Sequence, residues 1–162
     1  MPKQPEDDRL AEIGRLYDRL APSLFRYAVM ILASSDEAED VVHRVFTRLI
    51  ARDLRAISEI DGYARRAVRN ECFNVVRGRR HTSDADIEPL LEVVAAVDAA
   101  LEDRLAVEQA LRDLPADQRE VLHLKIFEGW TFPEIAALSG ESVNTVASRY
   151  RYGLAKLRTR LS

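Results

Sequence analysis

Residues 128–158, EGWTFPEIAALSGESVNTVASRYRYGLAKLR, set two helix starts and one glycine turn so close together that few folds accommodate them. Thr131 and Glu134 have the T-x-x-E spacing of a capping box, and Pro133 falls in the first turn, where its missing N–H is harmless. Trp130 before the cap and Ile135 after it are spaced for a hydrophobic staple. The first helix stops at Ser139-Gly140, because glycine enters the left-handed region without strain, and Ser142 caps a second helix. Two short helices about a tight glycine turn form a helix-turn-helix. At about 100° per residue, Val143, Val146, Tyr150, Leu154 and Leu157 make an inward stripe. Thr145, Ser148, Arg149, Tyr152 and Lys156 cover the opposite side, with Asn144 and Arg151 beside them. Donors and cations so arranged suit the base edges and phosphates of a major groove.

The rest of the chain also follows the helical period, and no stretch alternates as a strand does, so the fold class is all-α. Residues 1–9 read as a frayed start. A first helical region covers 10–33, and Pro22 predicts a kink or break near Ala21 through its lost donor and crowded preceding turn. Asp36 and Glu39 predict a capping box opening a second helix to about Arg52. Its buried stripe is Ala38, Val42, Val45, Phe46 and Leu49, which leaves Asp40, His43, Arg44 and Thr47 outward. A third helix over 62–80 puts Ala64, Ala67, Val68 and Val75 on one side, with Cys72 at the edge. Arg66, Arg69, Asn70, Phe73, Arg77 and Arg80 lie on the other. Residues 81–89 are polar and read as a domain boundary, and the alanine-rich 90–100 predicts a short docking helix. A second domain begins near Arg104 with Val107, Ala110, Leu111 and Leu114 on one helix, and the next runs from Pro115 to about Glu128.

The net charge of −3 conceals a segregation. Residues 62–80 carry six arginines against Glu71 alone, and 142–161 carry five Lys or Arg and no acid. Between them, 82–108 carry eight acids against Arg104. Two basic segments around an acidic one fit two phosphate-facing surfaces joined by a strip that DNA repels. Solvated helix faces would give the same charge blocks. An aromatic among arginines, as at Phe73, suits strand-separated DNA, although contact with a neighbouring helix is the simpler role for that ring. Asn70 and Asn74 can engage bases or make caps.

No apolar run approaches the roughly 20 residues of a membrane span, and no secretory signal opens the chain, so a cytoplasmic protein is expected. Cys72 has no partner for a disulfide and reads as a small buried hydrophobe; the three histidines lack zinc-ligand spacing. There is no nucleophile–base pair or phosphate loop, and the Gly-Glu-Ser at Gly140 is a helix turn, because no strand precedes it. The expectation is a non-enzyme without metal or cofactor.

LRDLPADQREVLHLKIFEGWTFPEIAALSGESVNTVASRYRYGLAKLR resembles region 4 of extracytoplasmic-function (ECF) sigma factors of the sigma-70 family. LYDRLAPSLFRYA, DEAEDVVHRVFTRL and DGYARRAVRNECFNVVRGRR are similar, in that order, to segments of their region 2. The resemblance implies two small helical domains: region 2 over 1–81 and region 4 over 104–162, with an acidic linker over 82–103. It implies an RNA polymerase sigma subunit that needs no bond chemistry of its own. Asp40, Val41, His43, Arg44 and Phe46 would grip the clamp helices of the largest subunit of core polymerase, and region 4 the flap of the second-largest. Arg66, Arg69, Asn70, Phe73, Asn74, Arg77 and Arg80 would melt and read the −10 element. Asn144, Thr145, Ser148, Arg149, Arg151, Tyr152 and Lys156 would read the −35 element. Residues 53–61 fall where the family captures a flipped −10 base, and an anti-sigma factor would be a further partner.

The chain departs from the family pattern at several positions. His43-Arg44 stand where Gln-Glu is usual, which replaces an acid with a base. Ala147 stands where a basic residue is common, and Tyr152-Gly153 replace Arg-Ala, so the DNA sequence read should differ from that of relatives. Tyr63 replaces tryptophan and Asn74 replaces aspartate. Two other readings remain open at this point: a helix-turn-helix regulator, and a sigma-like decoy for an anti-sigma partner.

Overall fold

The helical period is realised as seven α-helices, with no strand, among the residues described by the computed structural model, 4–79 and 101–162. They are α1 (Pro5–Leu32), α2 (Ser35–Ile50), α3 (Ile60–Gly78), α4 (Leu101–Arg112), α5 (Ala116–Leu122), α6 (Phe132–Ser139) and α7 (Val143–Leu161). A 3-10 turn at Leu54–Ala56 joins α2 to α3, and α5 continues into a π turn over His123–Phe127. No helix among the described residues is long and apolar enough to cross a membrane.

Helix α1 corrects two expectations. It starts at Pro5 rather than fraying to Arg9, since Pro5 suits a first helical position and Glu6, Asp7 and Asp8 complement the N-terminal dipole. It also passes through Pro22 without a break. Pro22 is exposed, while Leu16, Ala21, Leu24 and Ala28 around it are buried, so packing on both sides of the proline holds the helix together across the lost hydrogen bond. The helix ends at Ala33, whose φ of 52° is left-handed and whose N–H donates to the Val29 carbonyl at 2.7 Å. Helix α2 is capped two residues earlier than expected. Ser34, not Asp36, accepts the N–H of Glu37 at 3.3 Å, because serine there reaches N3 in the same S-x-x-E spacing. Its predicted stripe is buried, and Val41 joins it.

Helix α3 starts at Ile60, two residues before the predicted start, and its turn is tied to α1 by Arg19, which holds Asp61 at 2.7 and 2.9 Å. Arg80, the linker residues 82–100 and the helix expected over 90–100 lie outside the described residues. Residues 101–103 already form the first turn of α4, with Glu102 and Asp103 at the positive end of its dipole.

Residues 27–32 of α1, Tyr-Ala-Val-Met-Ile-Leu, are buried on every side. A helix turn apolar all round needs cover all round. Helices α2 and α3 cover one side, and α5 covers the other, so a single apolar core runs from the first three helices into the last four. Each large aliphatic side chain enclosed there contributes about 1.5–3 kcal/mol.

Candidate nucleic-acid interface

The helix-turn-helix forms as its caps dictate. The Thr131 hydroxyl accepts the Glu134 N–H at 3.3 Å and donates to the Glu134 carboxylate at 3.0 Å, so the box closes through hydroxyl and carboxylate. Gly140 takes the left-handed turn at φ 74°, and Ser142 accepts the Thr145 N–H at 3.1 Å. Helix α7 then buries Val146 and Gly153 and half-buries Tyr150, Leu154 and Leu157 against α5 and α6. Val143 departs from its expected inward place. It is the first residue of α7 and is 43 % exposed.

Of the seven residues assigned to the outer face, Asn144, Arg151, Tyr152 and Lys156 are exposed, Tyr152 to 64 %. Thr145 and Ser148 are half-buried, Thr145 beside the capping hydroxyl at 2.9 Å and Ser148 accepting from Arg151 at 3.2 Å. Arg149 is held flat by two carboxylates of its own domain, Asp117 at 3.1 Å and Glu141 at 3.3 Å, and its side chain is only 22 % exposed. Two acids on one arginine fix its direction and screen part of its charge.

Helix α3 divides differently. Arg66, Asn70, Asn74 and Arg77 form one exposed row, with Arg77 donating to the Asn74 amide oxygen. Arg69 and Phe73, expected in the same set, are turned against the second domain. Arg69 holds the Glu120 carboxylate through Nε at 2.6 Å and Nη2 at 3.2 Å, and its guanidinium lies over the Phe73 ring at 4.6 Å. The reason is the buried Glu120, which needs a cation and takes the nearest. Burial would lower the pKa of Arg69, but Glu120 outweighs it and raises it.

The exposed face of α2 presents Asp40, His43, Arg44 and Thr47 as expected. Val41 and Phe46, assigned to the polymerase-gripping set, are buried; Phe46 meets Tyr17 edge-on at 4.9 Å. Their places in the helical period face α1. Beside Asp40, an apolar groove between α1 and α2 is lined by Tyr17, Pro22, Phe25, Val42 and His43.

A polar seam between the domains escaped the sequence reading. Tyr27 donates its hydroxyl to Glu120 at 2.5 Å. Burial, then the neighbouring Glu120 charge, pushes the Tyr27 pKa well above its ordinary value. Arg119 donates to the last carbonyls of α1, Met30 and Ile31, at 2.7 Å each, and burial pulls its pKa down to about 10. Arg65 holds Glu128 at 3.0 and 2.9 Å and lies between the rings of Tyr27 and Trp130. The one sequence signal for this seam is the apolar run at 27–32, too broad for a helix with one covered face. Cys72 is buried and its thiol pKa is pushed up to about 12, first by burial and then by Glu120 and Glu71. No group of three or more His, Cys, Asp or Glu gathers at one point among the described residues.

With this geometry in hand, comparison with known proteins gives one answer. The Sigma-70 region 2 pattern matches residues 16–82 and the Sigma-70 region 4 pattern matches 104–157. The ECF RNA polymerase sigma factor SigL of Mycobacterium tuberculosis (strain ATCC 25618 / H37Rv) is 32 % identical over 159 residues, covering 90 % of this chain and 86 % of that protein. EcfG of Rhodopseudomonas palustris (strain TIE-1), another ECF sigma factor, is 29 % identical over 141 residues, covering 84 % and 77 %. In fold the chain is similar to the sigma factor RpoE of Bartonella quintana, solved with the anti-sigma factor NepR, at a TM-score of 0.65 and 21 % identity over 93 % of this chain and 96 % of that one. Both patterns follow in the order of the two helical groups, and this chain belongs to the ECF sigma factors, the RNA polymerase subunits that bind core enzyme and direct it to promoter DNA.

Proposed function

We propose that the two basic helices divide promoter recognition between them, α3 taking the −10 element and α7 the −35 element. The observation that carries this is the exposed polar face of α7, which offers Asn144, Arg151, Tyr152 and Lys156 on a capped helix with no acid. Thr145, Ser148 and the pre-aimed Arg149 complete that face. Side chains so placed read major-groove edges and phosphates. On α3 the exposed Arg66, Asn70, Asn74 and Arg77 track the separated strand, joined by Arg69, Phe73 and Arg80.

Region 2 over 1–81 grips the polymerase clamp through Asp40, His43 and Arg44, and the groove beside them accepts a helix of the partner. Region 4 over 104–162 meets the flap, with the acidic linker between. An anti-sigma factor is a further partner, as the similar fold of RpoE was solved with one. The test is transcription by core polymerase with the purified chain and fragmented genomic DNA, followed by sequencing of transcript 5′ ends. Start sites with a shared upstream pair of motifs are expected. In the same assay Asp40→Ala lowers transcript yield at every start without changing the motifs; altered motifs would remove Asp40 from the polymerase surface. Absence of specific starts with active core would favour a regulator or decoy.

A further inference from the structure

Helix α1 reaches the connector between α2 and α3 at both of its ends. At the start, Arg9 donates through Nη2 to the carbonyls of Ile50 and Arg52, at 2.7 Å to the second. A helix end leaves its last carbonyls without intrahelical partners, and a basic side chain satisfies them. At the finish, Arg19 forks onto Asp61 at 2.7 and 2.9 Å. Ten residues of helix separate the two arginines, a span of about 15 Å. Between them the chain turns through Leu54–Ala56, where the Asp53 carboxylate accepts the Arg55 N–H at 3.0 Å and Leu54 and Ile57 pack against the core. Both arginines are exposed, and links of that kind add little to stability. What they fix is the path of the connector.

The connector so held borders an open concavity of about 550 Å³, lined by Arg52, Asp53, Ala56, Ile57, Ser58 and Tyr63. The Arg52 guanidinium lies over the Tyr63 ring, 5.5 Å from its centre. A ring and a guanidinium plane suit the face of an unstacked base, and a carboxylate and a hydroxyl suit its edge. Tyr63 also heads the polar row of α3. Tyr63, Arg66, Asn70, Asn74 and Arg77 recur at intervals of three and four residues and so share one face. A strand tracked by that row arrives at the concavity.

We infer that Arg9 and Arg19 are positioning residues for promoter reading, which pin both ends of the connector to α1 and so hold the concavity in the shape that takes one base of the −10 strand. The inference rests on the reading of α3 as the −10 surface. Neither arginine touches the base. A loop held in place before binding loses less to ordering and discriminates more sharply than one shaped by its ligand. Cutting either link therefore leaves a folded chain that binds polymerase and blurs its choice of base at one position.

The experiment loads core polymerase with the full chain and offers it single-stranded DNA randomised over a short central stretch. Bound strands are sequenced, with core polymerase alone as background. R9A and R19D should lower discrimination about tenfold at one position of the enriched motif and less than about twofold at the others. The charge swap R19D/D61R, which rebuilds the link, should return that position to within about twofold of wild type. Denaturation midpoints and affinity for core polymerase should match the wild type in all three variants, which separates positioning from a general loss of structure.

Unchanged discrimination in R9A and R19D overturns the inference, as does a uniform loss at every position or a swap that restores nothing. R52A/S58A, at two exposed residues of the concavity, separates the possible failures. If it flattens one position while R9A and R19D do not, the connector reads a base and only the positioning role is refuted. If the wild type enriches no motif over core polymerase alone, the reading of α3 falls and takes the inference with it.

Discussion

Helices α3 and α7 are a matched pair in sequence, each 19 residues long and strongly basic, yet their basic faces meet opposite fates. On α3 the cations that lie nearest the core, Arg65 and Arg69, are neutralised by acids from the other domain. On α7 the acids paired with its cations, among the described residues, belong to its own domain: Asp117 and Glu141 on Arg149, and Asp113 on Arg160. The first kind of pairing depends on how two domains are docked, while the second is fixed as soon as one domain folds. The charge of a helix face thus follows from composition, but its availability follows from what is packed against it.

Arg69→Ala tests the α3 side most severely. It leaves the Glu120 carboxylate buried with a single hydroxyl for company, and removing one partner of such a pair costs about 3–5 kcal/mol. Chemical denaturation should show that loss, together with weakening of the contact between domains. A loss below about 1 kcal/mol would mean that water reaches Glu120, which the geometry does not provide for.

Arg149→Ala is the counterpart on α7. Its acid partners are partly exposed, so stability should fall by less than about 1 kcal/mol. Duplex promoter affinity should fall by about 1–3 kcal/mol if Arg149 reads a base, and competition between operator variants would show relaxed preference at one position. A stability loss as large as that of Arg69→Ala would erase the distinction between the helices.

The seam should also respond to acid. Burial pushes the Glu128 carboxyl up, but the hydrogen bond to His123 and the charge of Arg65 outweigh it, so its folded pKa lies below the ordinary value. A depressed carboxyl pKa gives stability that is fully present above the unfolded value, near about 4.3, and is lost as pH falls through the folded value. Denaturation midpoints of the wild type should therefore fall more steeply below about pH 4 than those of Glu128→Gln. Parallel curves would remove Glu128 from the linkage.

The smallest effect concerns Gly153, at the inward side of α7. An added Cβ would lie 3.0 Å from Leu122 Cδ1, the end of a side chain that can shift. Gly153→Ala gains up to about 1 kcal/mol of helix propensity and loses part of it to that contact. The net change in unfolding free energy should stay within about 1 kcal/mol, and a larger loss would show Leu122 to be locked.

Caps and stripes made much of this legible from residues. Thr131, Gly140 and Ser142 fix the helix-turn-helix through bonds spanning only a few positions, and the stripe of α2 follows from period alone. Where the reading slipped, a distant partner had decided the matter. Pro22 passes unbroken because both flanks are packed. Arg69 turned inward because Glu120, more than forty positions away, needed a cation, and Phe73 packs against the core beneath the Arg69 guanidinium. Val41 and Phe46 fit the family's gripping segment, but their period places them in the core.

Sequence alone determined the helical class of the described residues, the capped helix-turn-helix of the second group, and segments that follow the order of a sigma factor. Those properties rest on local hydrogen bonds, spacing and charge, which act between near neighbours. Tertiary structure decided that the two helical groups share one core and that half of the basic face of α3 is covered. Both follow from burial of the apolar turn at 27–32 and of Glu120, and burial is a property of the whole packed chain.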